Sequence, residues 1–129
     1  MTILITKLFL AATLKYNLPT GLLSSLCYVE SSHRVTAIHK DDGGQDSVGI
    51  CQMHLTTAKM MGFKGTARQL MLPQNNIKFA AAYLAHQIKR YHGDVAQGII
   101  SYNQGSSKHL TSTKYCVKVY KKWGKNASK

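Results

Sequence analysis

The feature that most constrains this chain is an apolar segment, residues 22–29, that runs directly into its only glutamate, Glu30. Leu23, Cys27 and Glu30 follow one another at i, i+4 and i+7, so on a helix they share one face. Partial burial and the negative end of the helix dipole would both favour the protonated form of this carboxyl. The segment therefore predicts a helix that presents a general acid beside packed apolar surface. The alternative is a glutamate whose head simply reaches water.

Helical periodicity extends over most of the chain and predicts a mainly α, single-domain protein spanning residues 1–129. A first amphipathic helix is predicted from Ile3, Leu4, Lys7, Leu8, Ala11 and Leu14. Further helices are predicted over residues 55–61, after a Thr66 cap, and over residues 77–91, 95–102 and 111–123. The polar, turn-rich residues 33–50 predict a long loop or a small hairpin.

Charge and cysteine content narrow the class of protein further. Seventeen Lys and Arg against five acids give a formal net charge of +12, which predicts a polyanionic partner. Three cysteines, an odd number at wide spacings, favour reduced thiols over a disulfide framework, although whether Cys27 and Cys51 lie close enough to pair stays open. The apolar start of the chain is interrupted by Lys7, and we expect neither a signal peptide nor a membrane span there.

Five short blocks, in a fixed order along the chain, carry a resemblance to a known family. The blocks are Glu30-Ser31, Gly49-Ile50-Cys51-Gln52, Asn76-Ile77 with Tyr83-Leu84, Tyr102-Asn103-Gln104-Gly105, and Tyr115 with Val119. Together they resemble the catalytic domain of the soluble lytic transglycosylases, whose lysozyme-like fold is shared with the goose-type lysozymes. The chain departs from the family pattern at Ala80, Gln104, Cys51 and His54, where a glycine, an alanine and two methionines are usual.

The resemblance implies cleavage of the β-1,4 bond between N-acetylmuramic acid and N-acetylglucosamine in peptidoglycan. Glu30 would act as general acid and then as base, which yields a 1,6-anhydro product without a second carboxylate, a metal or a cofactor. Conventional glycosidases need two carboxylates, so a single one suffices only if the substrate supplies the second function. The side chains expected to bind the sugar are Ser31, Gln52, His54, Tyr102 and Asn103.

Three alternatives remain open at the level of sequence. A hydrolytic goose-type muramidase would use Asp41, Asp42 or Asp46 as a second acid to position water. A non-catalytic basic module that binds nucleic acid is compatible with the charge, but the basic residues are scattered and no aromatic residues are interleaved with them. A zinc site is suggested by His33, His39, Cys51 and His54, which lack a matching second ligand pair, so we interpret them as ordinary loop residues.

A small basic wall-cleaving domain without a signal peptide or a wall-binding module is typical of bacteriophage endolysins. We therefore expect a monomer that waits in the host cytoplasm until a holin opens the membrane and then acts on periplasmic peptidoglycan during host cell lysis. The lysine-rich residues 118–129, with Trp123, could touch anionic outer-membrane lipopolysaccharide, or they could form a solvated tail. No specific nucleic-acid partner is expected.

Overall fold

Apolar periodicity in the sequence becomes a set of helices around a small antiparallel sheet in the computed structural model, which describes residues 1–42, 44–104 and 112–127. The helices are α1 (Ile3–Lys15), α2 (Leu22–Ser31), α3 (Leu55–Met60), α4 (Ala67–Leu70), α5 (Pro73–Arg90), α6 (Val95–Gln104) and α7 (Ser112–Ala127). The strands are β1 (Ile38–Asp42), β2 (Gln45–Val48) and β3 (Met53–His54), in the order β1-β2-β3. The prediction of a mainly α single domain with a small hairpin is confirmed. The third strand was not predicted.

Local sequence signals explain where several helices begin. Thr2 accepts a hydrogen bond from the Ile5 amide at the start of α1, and Thr66 with Gln69 forms a capping box at α4. Asp94 caps α6 by accepting from the Gln97 amide. Pro73 opens α5 at its first position, where its missing N–H is not needed.

The helix that carries Glu30 lies at the centre of the core. Its side chains Leu22, Leu23 and Leu26 are completely buried, together with Leu84 of α5 and Val119 of α7. α2 packs against α7, and α5 packs along both α6 and α1. Burial of apolar surface contributes about 25 cal/mol per Å² to the free energy of folding. This packing therefore holds α2, and with it the backbone of Glu30, in the core.

The first helix buries a different face from the predicted one. Ile5, Phe9, Ala12 and Thr13 face the core, whereas most of the predicted stripe faces outward. The prediction of a helix is therefore confirmed and the predicted face is wrong, because α1 is apolar on both sides and its pattern does not distinguish them.

The prediction of reduced cysteines is also wrong. Cys27 on α2 and Cys51, just before β3, form a disulfide with their Cα atoms 4.4 Å apart, and Cys116 is a buried free thiol. At the other end of the chain, Trp123 donates from its indole Nε1 to the Thr20 carbonyl at 2.8 Å. The part of the lysine-rich end that the structure describes is therefore a docked helix rather than a tail.

None of the described helices combines the length and the apolar character needed to cross a membrane.

Candidate active site

Glu30 lies in the last turn of α2, where the chain reverses direction. Ser32 and His33 both adopt left-handed backbone conformations, with φ of 57° and 61°, and the Ser32 amide donates to the Tyr28 carbonyl at 2.7 Å. This turn ends the helix at Ser31, so Glu30 lies one residue before the helix end. The result is a half-buried carboxyl beside the apolar core.

The Glu30 carboxyl is held by a residue from the far end of the chain. Tyr115 on α7 donates from its hydroxyl to Glu30 Oε2 at 2.5 Å, across 85 residues of sequence. Burial raises the pKa of the Tyr115 phenol well above its usual value, and repulsion from the Glu30 carboxylate raises it further. Tyr115 therefore keeps its proton and acts as a fixed donor that orients the carboxyl.

The opposite side of the site is a short turn between β2 and β3 that contains Gly49 and Gln52. Gly49 has φ +85°, and a Cβ on it would come within 2.3 Å of the Asn76 side chain, so only glycine fits there. Gln52 itself has φ 53°, an uncommon conformation for a residue other than glycine. Its Nε2 donates to the carbonyls of Ala37 and Gly49, so a contact of this amide with a sugar would have to use Oε1.

Asn76, which is completely buried on α5, fixes this turn through three hydrogen bonds. Its Oδ1 accepts from the Cys51 amide at 2.8 Å, and its Nδ2 donates to the carbonyls of Val48 and Leu70 at 2.9 and 3.0 Å. The three partners lie on both sides of Gly49 and on α4. Asn76 therefore joins the sheet, the turn and the helices into one rigid unit.

Two tyrosines with their rings in tilted contact lie between the two sides. The rings of Tyr83 and Tyr102 are 5.3 Å apart, and the Tyr102 hydroxyl donates to the Cys51 carbonyl at 2.8 Å. Burial raises the pKa of Tyr102 well above its usual value, with a further contribution from the Glu30 carboxylate. The hydroxyl hydrogen of Tyr102 is therefore used in the hydrogen bond to the Cys51 carbonyl, and Tyr102 mainly connects that turn to α6.

Tyr83 lines the cleft, and its hydroxyl has a defined hydrogen-bond direction. Gln87 donates from Nε2 to the Tyr83 hydroxyl at 2.8 Å and to the Ser101 carbonyl at 3.3 Å, while its Oε1 accepts from Arg90 at 3.4 Å. A backbone carbonyl can only accept, so Nε2 must lie on the Tyr83 side and Tyr83 must be the acceptor. The phenol hydrogen of Tyr83 is therefore not used in this hydrogen bond.

These elements enclose a cleft of about 370 Å³, within the range of small-ligand sites. Its lining residues come from α2, the sheet, α3, α5 and α6: Glu30, Ser47, Gln52, Met53, His54, Thr57, Tyr83, Tyr102, Asn103 and Gln104. Among the side chains that the structure describes, Glu30 is the only acid in this lining. The cleft therefore offers one proton donor surrounded by amides, hydroxyls and an imidazole, which suits a polar, uncharged ligand such as a sugar.

Most of the side chains predicted to bind substrate come together here, but not all do so. Gln52, His54 and Asn103 lie in the cleft lining with Glu30. Tyr102 is also in the lining but largely buried. Ser31 is not part of the lining; it is buried and donates to the Ile50 carbonyl at 2.6 Å, so it acts as a structural link between α2 and the turn.

The candidate second acids do not reach the cleft where the structure describes them. Asp46 is exposed and lies 3.9 Å from the Lys40 ammonium, outside the cleft lining. The side chains of Asp41 and Asp42 lie outside the described part of the structure. Of the suggested zinc ligands, Cys51 is bonded to Cys27 and has no thiolate to offer.

Several residues at the site were not among the predicted site residues: Ser47, Met53, Thr57, Tyr83 and Gln104 of the lining, and Tyr115 beside Glu30. Two of them matter most for the chemistry, since Tyr115 contacts Glu30 directly and Tyr83 is a tyrosine of the cleft lining. Both belong to the sequence blocks that carry the family resemblance, so membership of those blocks was the signal that could have identified them. Both residues are far from Glu30 in the sequence, so local sequence patterns could not predict that they lie near it.

The sequence matches a known protein family over almost its whole length. A family model described as the transglycosylase SLT domain matches residues 7–123. The chain is 25% identical over 113 residues to Protein IpgF of Shigella flexneri, covering 84% of this chain and 74% of that protein, and the same figures hold for Protein IpgF of Shigella sonnei. No solved structure matches the chain significantly. Glu30, the turn that contains Gln52, and Tyr115 all fall within the range matched by the family model.

Proposed function

Because the chain belongs to the transglycosylase SLT domain family, whose members are lytic transglycosylases acting on peptidoglycan, we propose that it cleaves the β-1,4 bond between N-acetylmuramic acid and N-acetylglucosamine, with Glu30 as acid and base. The family also accounts for the mainly helical, lysozyme-like fold with its small sheet. Membership of an enzyme family sets aside the alternative of a non-catalytic nucleic-acid-binding module.

The observation that carries this proposal is the single carboxyl in the described cleft lining, with Tyr115 hydrogen-bonded to one of its oxygens. A glycosidase that uses two protein carboxylates places them roughly 5 to 9.5 Å apart across the scissile bond. The described side chains of the lining include no second carboxylate. One carboxyl is sufficient for a reaction in which the substrate supplies its own nucleophile.

The hydrogen bond from Tyr115 supports a defined orientation of Glu30 during the proposed proton transfers. The Glu30 carboxyl gives its proton to the glycosidic oxygen as the bond to C1 breaks. The substrate's acetamido group stabilises the cationic centre. Glu30, now a carboxylate, takes the proton of the C6 hydroxyl as that oxygen bonds to C1, which restores the acid and closes the 1,6-anhydro ring.

Substrate contacts are assigned to the polar groups on the two sides of the carboxyl. Gln52 Oε1 is suited to accept from an acetamido N–H or a ring hydroxyl, and Tyr83 is suited to donate to an acetamido carbonyl. His54 and Asn103 lie in the lining at positions where further sugar hydroxyls can be bound. Each of these groups is neutral or weakly charged, in keeping with a glycan.

Mass spectrometry of the fragments released from purified sacculi tests the reaction. We expect muropeptides that end in 1,6-anhydro-N-acetylmuramic acid, each lighter by one water than the corresponding hydrolysis product. Reducing-end N-acetylmuramic acid as the main product would instead establish a muramidase. A variant with Asp41, Asp42 and Asp46 all changed to Asn separates the two further, because the transglycosylase reaction should continue at close to the wild-type rate.

The biological setting is a separate part of the proposal. The charge of +12 supports adhesion to anionic wall polymer and to lipopolysaccharide, and we propose a role in host cell lysis after release from the cytoplasm by a holin. Expression in a Gram-negative host with and without a holin tests this role, with lysis expected only in the presence of the holin. Lysis that occurs equally without the holin would contradict the cytoplasmic waiting step.

A further inference from the structure

The outward side of α1 is an apolar surface of unusual exposure. Ile3, Leu10 and Leu14 are 76%, 56% and 72% exposed, and with Lys7 they follow one another at i, i+4, i+7 and i+11. These positions lie on one face of the helix, opposite the buried Phe9. We call this set, together with Leu4 and Lys15, the outer face of α1.

Exposed large apolar side chains are concentrated on this part of the described surface. Met1, Ile3, Leu4, Leu10 and Leu14 account for five of the eleven such side chains. A helix that is apolar all round is ordinarily buried all round. A contiguous exposed apolar patch on a folded protein indicates a surface that binds another molecule.

The charges around the outer face define what it can bind. Lys7 lies within it and Lys15 at its edge, Lys78 of α5 lies beside Lys15, and no acid occurs before Glu30. A second copy of the chain packed on this face would bring lysines against lysines with no carboxylate to pair them. A surface that is apolar inside and negatively charged outside matches both features, since lysines extend to the phosphates while aliphatic side chains enter the layer beneath them.

We propose that the outer face of α1 binds the surface of an anionic phospholipid bilayer. The helix has 13 residues, fewer than the roughly 20 needed to span, so it lies in the plane of the interface. Its buried side remains in the protein core, and its outer side enters the boundary between headgroups and acyl chains. The enzyme would then be held beside a membrane while the cleft, which α1 does not line, stays open to glycan.

Sedimentation with vesicles of phosphatidylcholine, with and without phosphatidylglycerol, tests this binding for the full chain. We expect binding to the anionic vesicles that is weakened about tenfold or more by Leu10→Gln with Leu14→Gln. Lys7→Gln with Lys15→Gln should weaken it by about twenty-fivefold, since each lysine near an anionic surface contributes roughly fivefold. A matched control, Met60→Gln with Leu72→Gln, removes two exposed apolar side chains elsewhere and should leave binding unchanged.

Three results would overturn the proposal. Wild-type protein could bind anionic and neutral vesicles equally weakly. The Leu10→Gln, Leu14→Gln variant could bind anionic vesicles as well as wild type, which would assign binding to the general positive charge. The chain could self-associate through this face without binding vesicles, which would assign the face to a second copy. Digestion of lipid-free sacculi should be the same for all these variants, so the outcome is independent of the proposed cleavage reaction.

Discussion

The two sides of the cleft are held in different ways. The sheet side, the turn at residues 49–52 with β3, is fixed by the Cys27–Cys51 disulfide and by three hydrogen bonds from the buried Asn76. On the acid side, Glu30 receives a hydrogen bond from Tyr115, a residue on a helix near the other end of the chain. The sheet side shapes the cleft, and the acid side would carry the reactive proton in the proposed reaction.

This difference means that stability and reactivity depend on separate contacts. Buried hydrogen bonds and a cross-link on the sheet side contribute to the free energy of unfolding, whereas the Tyr115 hydroxyl orients a half-exposed carboxyl and contributes little to it. Changes on the sheet side should therefore alter stability, and changes on the acid side should alter the rate at unchanged stability.

The largest expected effect is the loss of Asn76. Asn76→Ala leaves a buried amide and two buried carbonyls unpaired, so the free energy of unfolding should fall by about 3–5 kcal/mol. Urea unfolding followed by circular dichroism measures this. Asn75→Ala, at the neighbouring position, removes one exposed hydrogen bond and should cost less than about 1 kcal/mol. Equal effects of the two substitutions would contradict the role given to Asn76.

Removal of the disulfide should rank second. Cys27 and Cys51 are 24 residues apart, and opening a loop of that size costs about 3 kcal/mol in the chain-entropy account. Cys27→Ser with Cys51→Ser should lower the midpoint of thermal unfolding, and a reducing agent should lower the midpoint of wild type but leave that of the variant unchanged. A wild-type midpoint that does not respond to complete reduction would contradict the prediction.

On the acid side, Tyr115→Phe should reduce kcat by about tenfold to a hundredfold, the equivalent of one hydrogen bond to a charged group. Stability should change by less than about 1 kcal/mol, because the ring stays in place. Initial rates on sacculi and urea unfolding test both parts. Tyr120→Phe, a more exposed tyrosine of the same helix, is the control and should have no effect on kcat. A stability loss as large as that of Asn76→Ala would remove the distinction between the two sides.

The smallest expected effect concerns Gln87, which acts through Tyr83. Gln87→Leu frees the Tyr83 hydroxyl to point away from the cleft and should raise KM by about twofold to fivefold with kcat nearly unchanged, a loss of less than about 1 kcal/mol. Tyr83→Phe should raise KM at least as much. Because Gln87 acts through that hydroxyl, the double variant should be no worse than Tyr83→Phe alone. Additive effects would show that Gln87 acts by another route.

The sequence predicted the helices more readily than the contacts between them. α5 follows from the spacing of Ile77, Leu84 and Ile88 and from the stop at Gly93, and α4 follows from Thr66, because these are local signals. The outward side of α1 could not be predicted in the same way, since apolar residues lie on both faces of that helix and only tertiary packing decides which is buried.

Long-range pairings at the site were beyond the reach of local patterns. The contact between Glu30 and Tyr115 and the disulfide between Cys27 and Cys51 join segments that become neighbours only when α2, α7 and the sheet have packed. An odd number of cysteines even favoured the wrong answer. The place of Glu30 in the cleft could be predicted, because a lone glutamate at the end of an apolar helix is visible in the sequence, and the family blocks pointed to Gln52 and Asn103, which lie in the same lining.

The most direct test of the central claim is the rate at which Glu30→Gln releases fragments from purified sacculi, measured beside its urea unfolding curve. The rate should fall by at least about a hundredfold, since the proton donor is gone, while the unfolding midpoint should stay within error of wild type. A folded Glu30→Gln protein that digests sacculi at close to the wild-type rate would contradict the claim.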